Sequence, residues 1–351
     1  MPAHLSPSKL LEQAQRLGNP VIADGTATFV WQGDFAPALV SDLDDWEEGP
    51  RPLKRLAPGL YACRLDLPSD AYLEYSFLDP ATKQRLADPL NPHTTWDGLG
   101  HYNHYFYMPG SGPDPLTIPD RGIPRGTVTR HQVQTNDLAA GKQRLVHLYQ
   151  PPAKGPVPLL VVLDGPDYLR RGRLPVIVDN LIAAKRIRPI AMAFVPNGRQ
   201  ARSIEYTCSE STIGFLVQMV LPLARKELRL VDPTKAPGAY GILGASLGGL
   251  MAVYTALRAP GIFGRAISQA GAFELGEYET IAMQMVRHLP RPPVKLWLDA
   301  GRMDFLRESN RRMAALLKDK GYDLTYVETG GAHNYTTWRN VLGDGLEKMF
   351  A

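Results

Sequence analysis

The chain has 351 residues, a length that suits about two domains, and 44% of them are apolar, enough to bury a core in each. The formal net charge of +4 is spread without a run of like charge, which gives no nucleic-acid footprint and only a weak pull on acidic substrates. Cys63 and Cys208 are too few for a disulfide framework and form no C-x-x-C pair, so both are expected as reduced thiols. Glu12, Gln13, Gln15 and Arg16 interrupt any apolar core a secretory leader would need, and no stretch reaches a membrane-spanning length. The expectation is a cytoplasmic protein without membrane or nucleic-acid partners; the oligomeric state is left open.

The first expected element is a short helix over Ser8–Leu17, with Ser6 or Ser8 able to cap it. Short alternating runs follow between turn residues: Ala27–Trp31, Pro37–Val40, Leu60–Leu65 and Tyr72–Leu78. That spacing predicts an all-β, immunoglobulin-like sandwich over residues 1–110. Trp31, Trp46 and Trp96 are expected as core residues rather than sugar-stacking platforms. His101 and His104 lack carboxylate or cysteine support, so no metal is expected there.

Pro109-Gly110-Ser111-Gly112-Pro113-Asp114-Pro115, with Pro119 and Pro124 beyond, marks a linker over 111–126. The texture then changes. Arg144–Tyr149, Pro158–Leu163, Ile190–Val195, Gly238–Gly244, Val294–Leu298 and Leu324–Val327 look like strands, several as continuous apolar runs buried on both faces. Helical patterns over 212–227, 247–258, 307–320 and 336–350 lie between them. Strands alternating with helices predict an α/β domain with a mainly parallel sheet over 127–351.

The chemistry centres on Gly244-Ala245-Ser246-Leu247-Gly248-Gly249. A G-x-S-x-G between a strand and a helix is a nucleophile elbow: a tight, strained turn pushes the serine hydroxyl clear, and flanking glycines avoid clashes with the neighbouring strand and helix. The helix N-terminus then favours negative charge on an oxyanion. In this arrangement the base follows later in the chain. His288 falls in a helical pattern and reads as a surface residue, whereas His333 sits in a loop between a strand and the last helix, where a general base belongs. The acid that orients it is placed at Asp304, beyond a strand end, ahead of Asp299 and then Glu328. One oxyanion donor is the N–H of Leu247. The second comes from Leu163-Asp164-Gly165-Pro166-Asp167-Tyr168, with Gly165 favoured and Asp167 as fallback because Pro166 has no N–H.

At these residues the stretch from about Thr127 resembles the esterase D-like branch of the α/β-hydrolases, which holds enterochelin (siderophore trilactone) esterases, feruloyl esterases and mycolyltransferase-like proteins. The resemblance rests on LDGPDY, Arg202-Ser203-Ile204-Glu205-Tyr206, GASLGG, Ser268-Gln269-Ala270-Gly271, GRMD and GGAHNYTTWR. It implies nucleophile Ser246, acid Asp304 and base His333, with Arg202 and Glu205 shaping the substrate side of the cleft or forming a structural ion pair. The front domain resembles the early-set domains that precede enterochelin esterases, and also glycogen-binding modules, through Gly33-Asp34-Phe35, Ser41–Trp46, Tyr72–Phe77 and Asp88–Pro92. The function expected is a serine esterase acting on a small-molecule ester, siderophore-type or aromatic acyl, through an acyl-enzyme and without a cofactor. The alternatives are an acyltransferase on the same triad and a glycan-binding protein with a vestigial hydrolase domain.

Overall fold

The computed structural model describes residues 5–43, 46 and 49–351; Met1–His4, and Asp44 and Asp45 of the Ser41–Trp46 stretch, lie outside the described residues. The chain divides into two compact units. One holds Met1–Gly112 together with Gly301–Phe305 and Thr329–Thr337; the other holds Pro113–Ala300, Leu306–Glu328 and Trp338–Ala351.

The first unit opens on helix α1 (Pro7–Leu17), which starts where the Ser6 hydroxyl accepts the Lys9 N–H and a proline occupies the first turn. Ten strands follow: β1 (Val21–Ala23), β2 (Thr26–Gln32), β3 (Ala38–Ser41), β4 (Arg51–Pro52), β5 (Lys54–Ala57), β6 (Leu60–Asp66), β7 (Tyr72–Leu78), β8 (Arg85–Leu86), β9 (Thr94–Trp96) and β10 (Tyr102–Tyr107). They form two antiparallel sheets, β1-β2-β6-β5 and β4-β3-β7-β10-β9, with β8 beside β7. Phe29 and Leu65 from the first sheet meet Leu39, Leu73, Tyr75, Phe77 and Phe106 from the second in one buried cluster, which makes the pair a sandwich. Leu10 and Ala14 of α1 close the outer face of the first sheet over Val21, Val30, Leu60 and Ala62. Trp31 packs against this core; Trp96 is exposed beside Tyr102.

The second unit is built on an eight-stranded sheet: β11 (Thr127–Gln134), β12 (Gln143–Gln150), β13 (Leu159–Leu163), β14 (Ala191–Val195), β15 (Tyr240–Ala245), β16 (Phe263–Gln269), β19 (Lys295–Gly301) and β20 (Asp323–Thr329), with a two-residue hairpin, β17 (Glu274–Leu275) and β18 (Tyr278–Glu279), off the sheet. The order is β11-β12-β14-β13-β15-β16-β19-β20. Strands β14, β13, β15, β16 and β19 run parallel, while β12 is antiparallel to both β11 and β14. Every residue of β13, β14 and β15 is buried, which is why they read as unbroken apolar runs.

The helices are α2 (Gly165–Arg170), α3 (Leu174–Ala183), α4 (Arg202–Tyr206), α5 (Glu210–Phe215), α6 (Leu221–Glu227), α7 (Leu247–Arg258), α8 (Ile281–His288), α9 (Arg307–Asp319) and α10 (Tyr335–Phe350). The single helix expected over 212–227 is instead α5, a π-helical turn over 216–220 and α6, with Pro222 in the first turn of α6. A proline cannot donate to the preceding turn, so the backbone widens before it. Among the described residues no helix is long and apolar enough to cross a membrane.

Candidate active site

Strand β15 ends at Ala245 and α7 begins at Leu247, so a single residue, Ser246, makes the turn. Its backbone sits at φ 59°, ψ −126°, a conformation that a side-chain-bearing residue adopts only under strain. The strain is held from both sides: the Ser246 N–H donates to the Gln269 carbonyl at 2.9 Å and its carbonyl accepts from the Ala272 N–H at 3.1 Å. Any side chain at position 244 would strike the Gly248 carbonyl, so the tight approach of strand and helix requires glycine there. Ser246 and Leu247 are half-buried, whereas Gly248 to Leu257 are wholly buried. The N–H groups of the first helical turn have no acceptor within the helix.

The neighbouring parallel strand, β13, ends in a second special turn. Asp164 adopts a left-handed conformation, φ 51°, and α2 starts at Gly165. A side chain on Gly165 would run into the Phe194–Val195 backbone, so glycine is obligatory for α2 to start this close to β14. The turn lies beside the elbow, with Asp164 Oδ2 only 3.2 Å from where a Cβ on Gly248 would sit.

Arg202, expected at the substrate side, spans these two turns. Its Nε and Nη2 donate to Asp164 Oδ1 and Oδ2 at 3.0 and 2.8 Å, and Nη2 reaches the Ala245 carbonyl at 3.3 Å. Asn197 Nδ2 donates to Asp164 Oδ1 at 2.5 Å, and the Tyr206 hydroxyl receives the Asp164 N–H at 3.2 Å. Glu205 is engaged elsewhere: it is buried against Arg144 and accepts the Ala140 N–H at 2.8 Å. The two residues therefore form two separate ion pairs, Arg202 half-buried against Asp164 and Glu205 buried against Arg144, with Asp164 and Arg144 as partners that the sequence reasoning missed. A bidentate partner for Arg202 was the signal available, and LDGPDY contained it.

Beside α2 lies a hollow of about 720 Å³ lined by Arg130, Arg144, His147, Asp167, Arg170 and Arg199, among others. Arg144 is neutralised by Glu205 and Asp167 by Arg171. Arg130, Arg170 and Arg199 are exposed and meet no carboxylate among the described residues. Burial, and after it the nearby charges of Arg130 and Arg170, hold the His147 imidazole below its ordinary pKa.

In the other compact unit His333 and Asp304 come together. His333 stands between β20 and α10, and its Nδ1 lies 2.9 Å from Asp304 Oδ2. The Asp304 side chain is fully buried and the imidazole is about one fifth exposed, packed against the Phe305 ring at 4.6 Å between centroids. With Asp304 as acceptor, the proton of a neutral imidazole sits on Nδ1. The other two carboxylates weighed for this role have their own partners. Asp299 Oδ2 accepts from Trp297 Nε1 at 2.8 Å and Gln269 Nε2 at 3.3 Å. Glu328 is gripped by Arg311, which holds its carboxyl below the ordinary range. His288 is exposed at the end of α8.

With this geometry in view, comparison with known proteins is specific. The esterase family model, described as "Putative esterase", matches residues 139–349. Among curated relatives, the uncharacterized protein YjcH of Bacillus subtilis is 28% identical over 242 residues, covering 64% of this chain and 98% of that protein. An iron(III) enterobactin esterase of Dickeya dadantii is 25% identical over 289 residues, covering 74% of this chain and 64% of the relative's length. Among solved structures, the ferric enterobactin esterase of Salmonella typhimurium superposes with a TM-score of 0.79 at 21% identity, over 93% of this chain and 94% of that one, which shows a shared fold. Because the family match takes in β12 to α10, with the Ser246 elbow, the Asp164–Gly165 turn and the His333 loop inside it, the chain belongs to the esterase family and is a carboxylic ester hydrolase of the α/β-hydrolase fold.

Proposed function

We propose that the chain, read as sandwich (1–110), linker (111–126) and catalytic domain (127–351), cleaves its ester through an acyl-enzyme on Ser246, with His333 as general base and Asp304 as the acid that orients it. The observation that carries this reading is the strained backbone of the half-buried Ser246 between β15 and α7, a cost that a serine without a task would not justify. In the proposed mechanism His333 Nε2 takes the Ser246 hydroxyl proton as Oγ attacks the ester carbonyl. The oxyanion settles against the N–H groups of Leu247 and Gly165. His333 returns the proton to the leaving alcohol as the C–O bond breaks, and water repeats the cycle on the acyl-enzyme. Asp304 keeps the imidazole in the tautomer this requires and stabilises its charged form.

The substrate class we infer is an acidic ester of the siderophore or aromatic acyl type. The cationic hollow begins one residue past Gly165, at Pro166 and Asp167, and its three unneutralised arginines favour an anionic group near the turn. Two of the relatives compared above are enterobactin esterases by name. The test compares kcat/KM for the iron(III) complex of a catechol trilactone, whose catechols are ionised, with that for a neutral p-nitrophenyl ester while salt rises from about 50 to about 500 mM, which shortens the screening length severalfold. The acidic ester is expected to be preferred, with a margin that narrows as salt rises and on Arg170→Ala or Arg199→Ala. A neutral ester used equally well at low salt would contradict the substrate class.

A further inference from the structure

The loop that carries His333 is tied down by residues far away in the sequence. Asn334, the next residue, is buried and both ends of its amide are engaged. Its Oδ1 accepts the Thr337 N–H at 2.8 Å, which caps the start of α10. Its Nδ2 donates to Asp42 Oδ2 at 2.9 Å. Asp42 follows β3 and is clamped to β7: the same Oδ2 accepts the Glu74 N–H at 2.9 Å, and the Asp42 N–H donates to the Glu74 carbonyl at 3.2 Å. Glu74 is itself buried, held by the Tyr72 hydroxyl at 3.0 Å and Asn103 Nδ2 at 2.9 Å.

This placement is costly. Asp42 stands beside a second carboxyl, Glu74, with Asp304 not far beyond. Burial first, and then the Glu74 charge, push the Asp42 carboxyl well above its ordinary pKa. Within the sandwich the carboxyl serves one bond, from the Glu74 N–H. Its second bond, from Asn334, reaches the loop of His333. A general base works only when held within a fraction of an ångström and a few degrees of its working geometry.

We propose that Asp42, in the amino-terminal sandwich, is a positioning residue for the general base, acting through Asn334 on the loop of His333. The proposal rests on the reading of His333 as base. The link uses Asp42 as an acceptor only, so its charge is not required.

The experiment uses the 351-residue chain and five variants: Asp42→Ala, Asp42→Asn, Asn334→Ser, the Asp42→Ala/Asn334→Ser double variant and His333→Ala. Serine at 334 still caps α10 but is too short to reach Asp42 as well. Asparagine at 42 keeps an acceptor oxygen. Steady-state hydrolysis of a p-nitrophenyl ester and the rate of phosphonate labelling are measured together with melting temperature. We expect Asn334→Ser and Asp42→Ala each to lower kcat and the labelling rate by about ten- to a hundredfold, with KM changed less than about twofold. The Asp42→Ala/Asn334→Ser double variant is expected to be no worse than either single, and Asp42→Asn to restore activity to within about threefold of wild type. If Asp42→Ala fails to fold, Asn334→Ser and Asp42→Asn decide. Wild-type kcat in Asn334→Ser, or losses that add in the double variant, would overturn the proposal. An active His333→Ala would instead overturn the reading of the base, and so separates the two failures.

Discussion

At the scale of single residues, the site depends on groups whose second hydrogen bond matters as much as their first. Asp304 has His333 Nδ1 within 2.9 Å and no exposed side-chain surface, so it cannot exchange that partner for water. Replacing it by asparagine keeps the shape but offers an amide N–H2 to a ring nitrogen that must donate, favouring the wrong tautomer. In the serine-protease case this change costs on the order of 10⁴ in kcat, and a loss of that order is expected for Asp304→Asn, measured as kcat on a p-nitrophenyl ester. Asp299→Asn serves as the comparison: its carboxylate serves Trp297 and Gln269, so it should cost far less activity and mainly stability.

At the scale of elements, the turn after β13 and the elbow after β15 are braced together by one side chain. The planar fork of Arg202 meets both carboxylate oxygens of Asp164, which is 2% exposed, and also the carbonyl of Ala245 just before the elbow. Arg202→Ala strips the buried Asp164 carboxylate of its cationic partner, and a loss of about 3 kcal/mol in a urea titration is expected, with a drop in kcat as the proposed oxyanion donor at Gly165 loses its support. Arg202→Lys should recover little, because a point charge cannot copy the fork; full recovery by lysine would show that only the charge matters. The elbow, the buried parallel strands and the His333 loop were legible in the sequence because each has a strong local signature: two glycines around a serine, unbroken apolar runs, a histidine between strand and helix. Strands β11 and β16 were not. Thr127–Gln134 is an exposed edge strand with almost no apolar face, and Phe263–Gln269 mixes glycine, arginine, serine and glutamine into a buried strand. The partners Asp164, Asn197 and Asp42 escaped for a different reason: a buried polar contact between distant segments leaves no periodic trace in the sequence.

At the scale of the whole molecule, the segments that hold Asp304 and His333 belong to the same compact unit as the amino-terminal sandwich. The Tyr72 N–H donates to the Gly330 carbonyl at 2.9 Å, Arg302 pairs with Asp70, and Asn334 reaches Asp42. A chain beginning at Pro113 loses all three anchors, so its rate on p-nitrophenyl acetate is expected to fall at least about a hundredfold; a truncated enzyme as active as the full chain would show that these anchors are dispensable. The central claim is that the strained elbow carries the nucleophile. A fluorophosphonate probe followed by intact mass and peptide mapping tests it most directly. One adduct per chain, on Ser246, absent from Ser246→Ala and slowed by several orders of magnitude in His333→Ala, is the expected result. An adduct on any other serine, or undiminished labelling of Ser246→Ala, would contradict it.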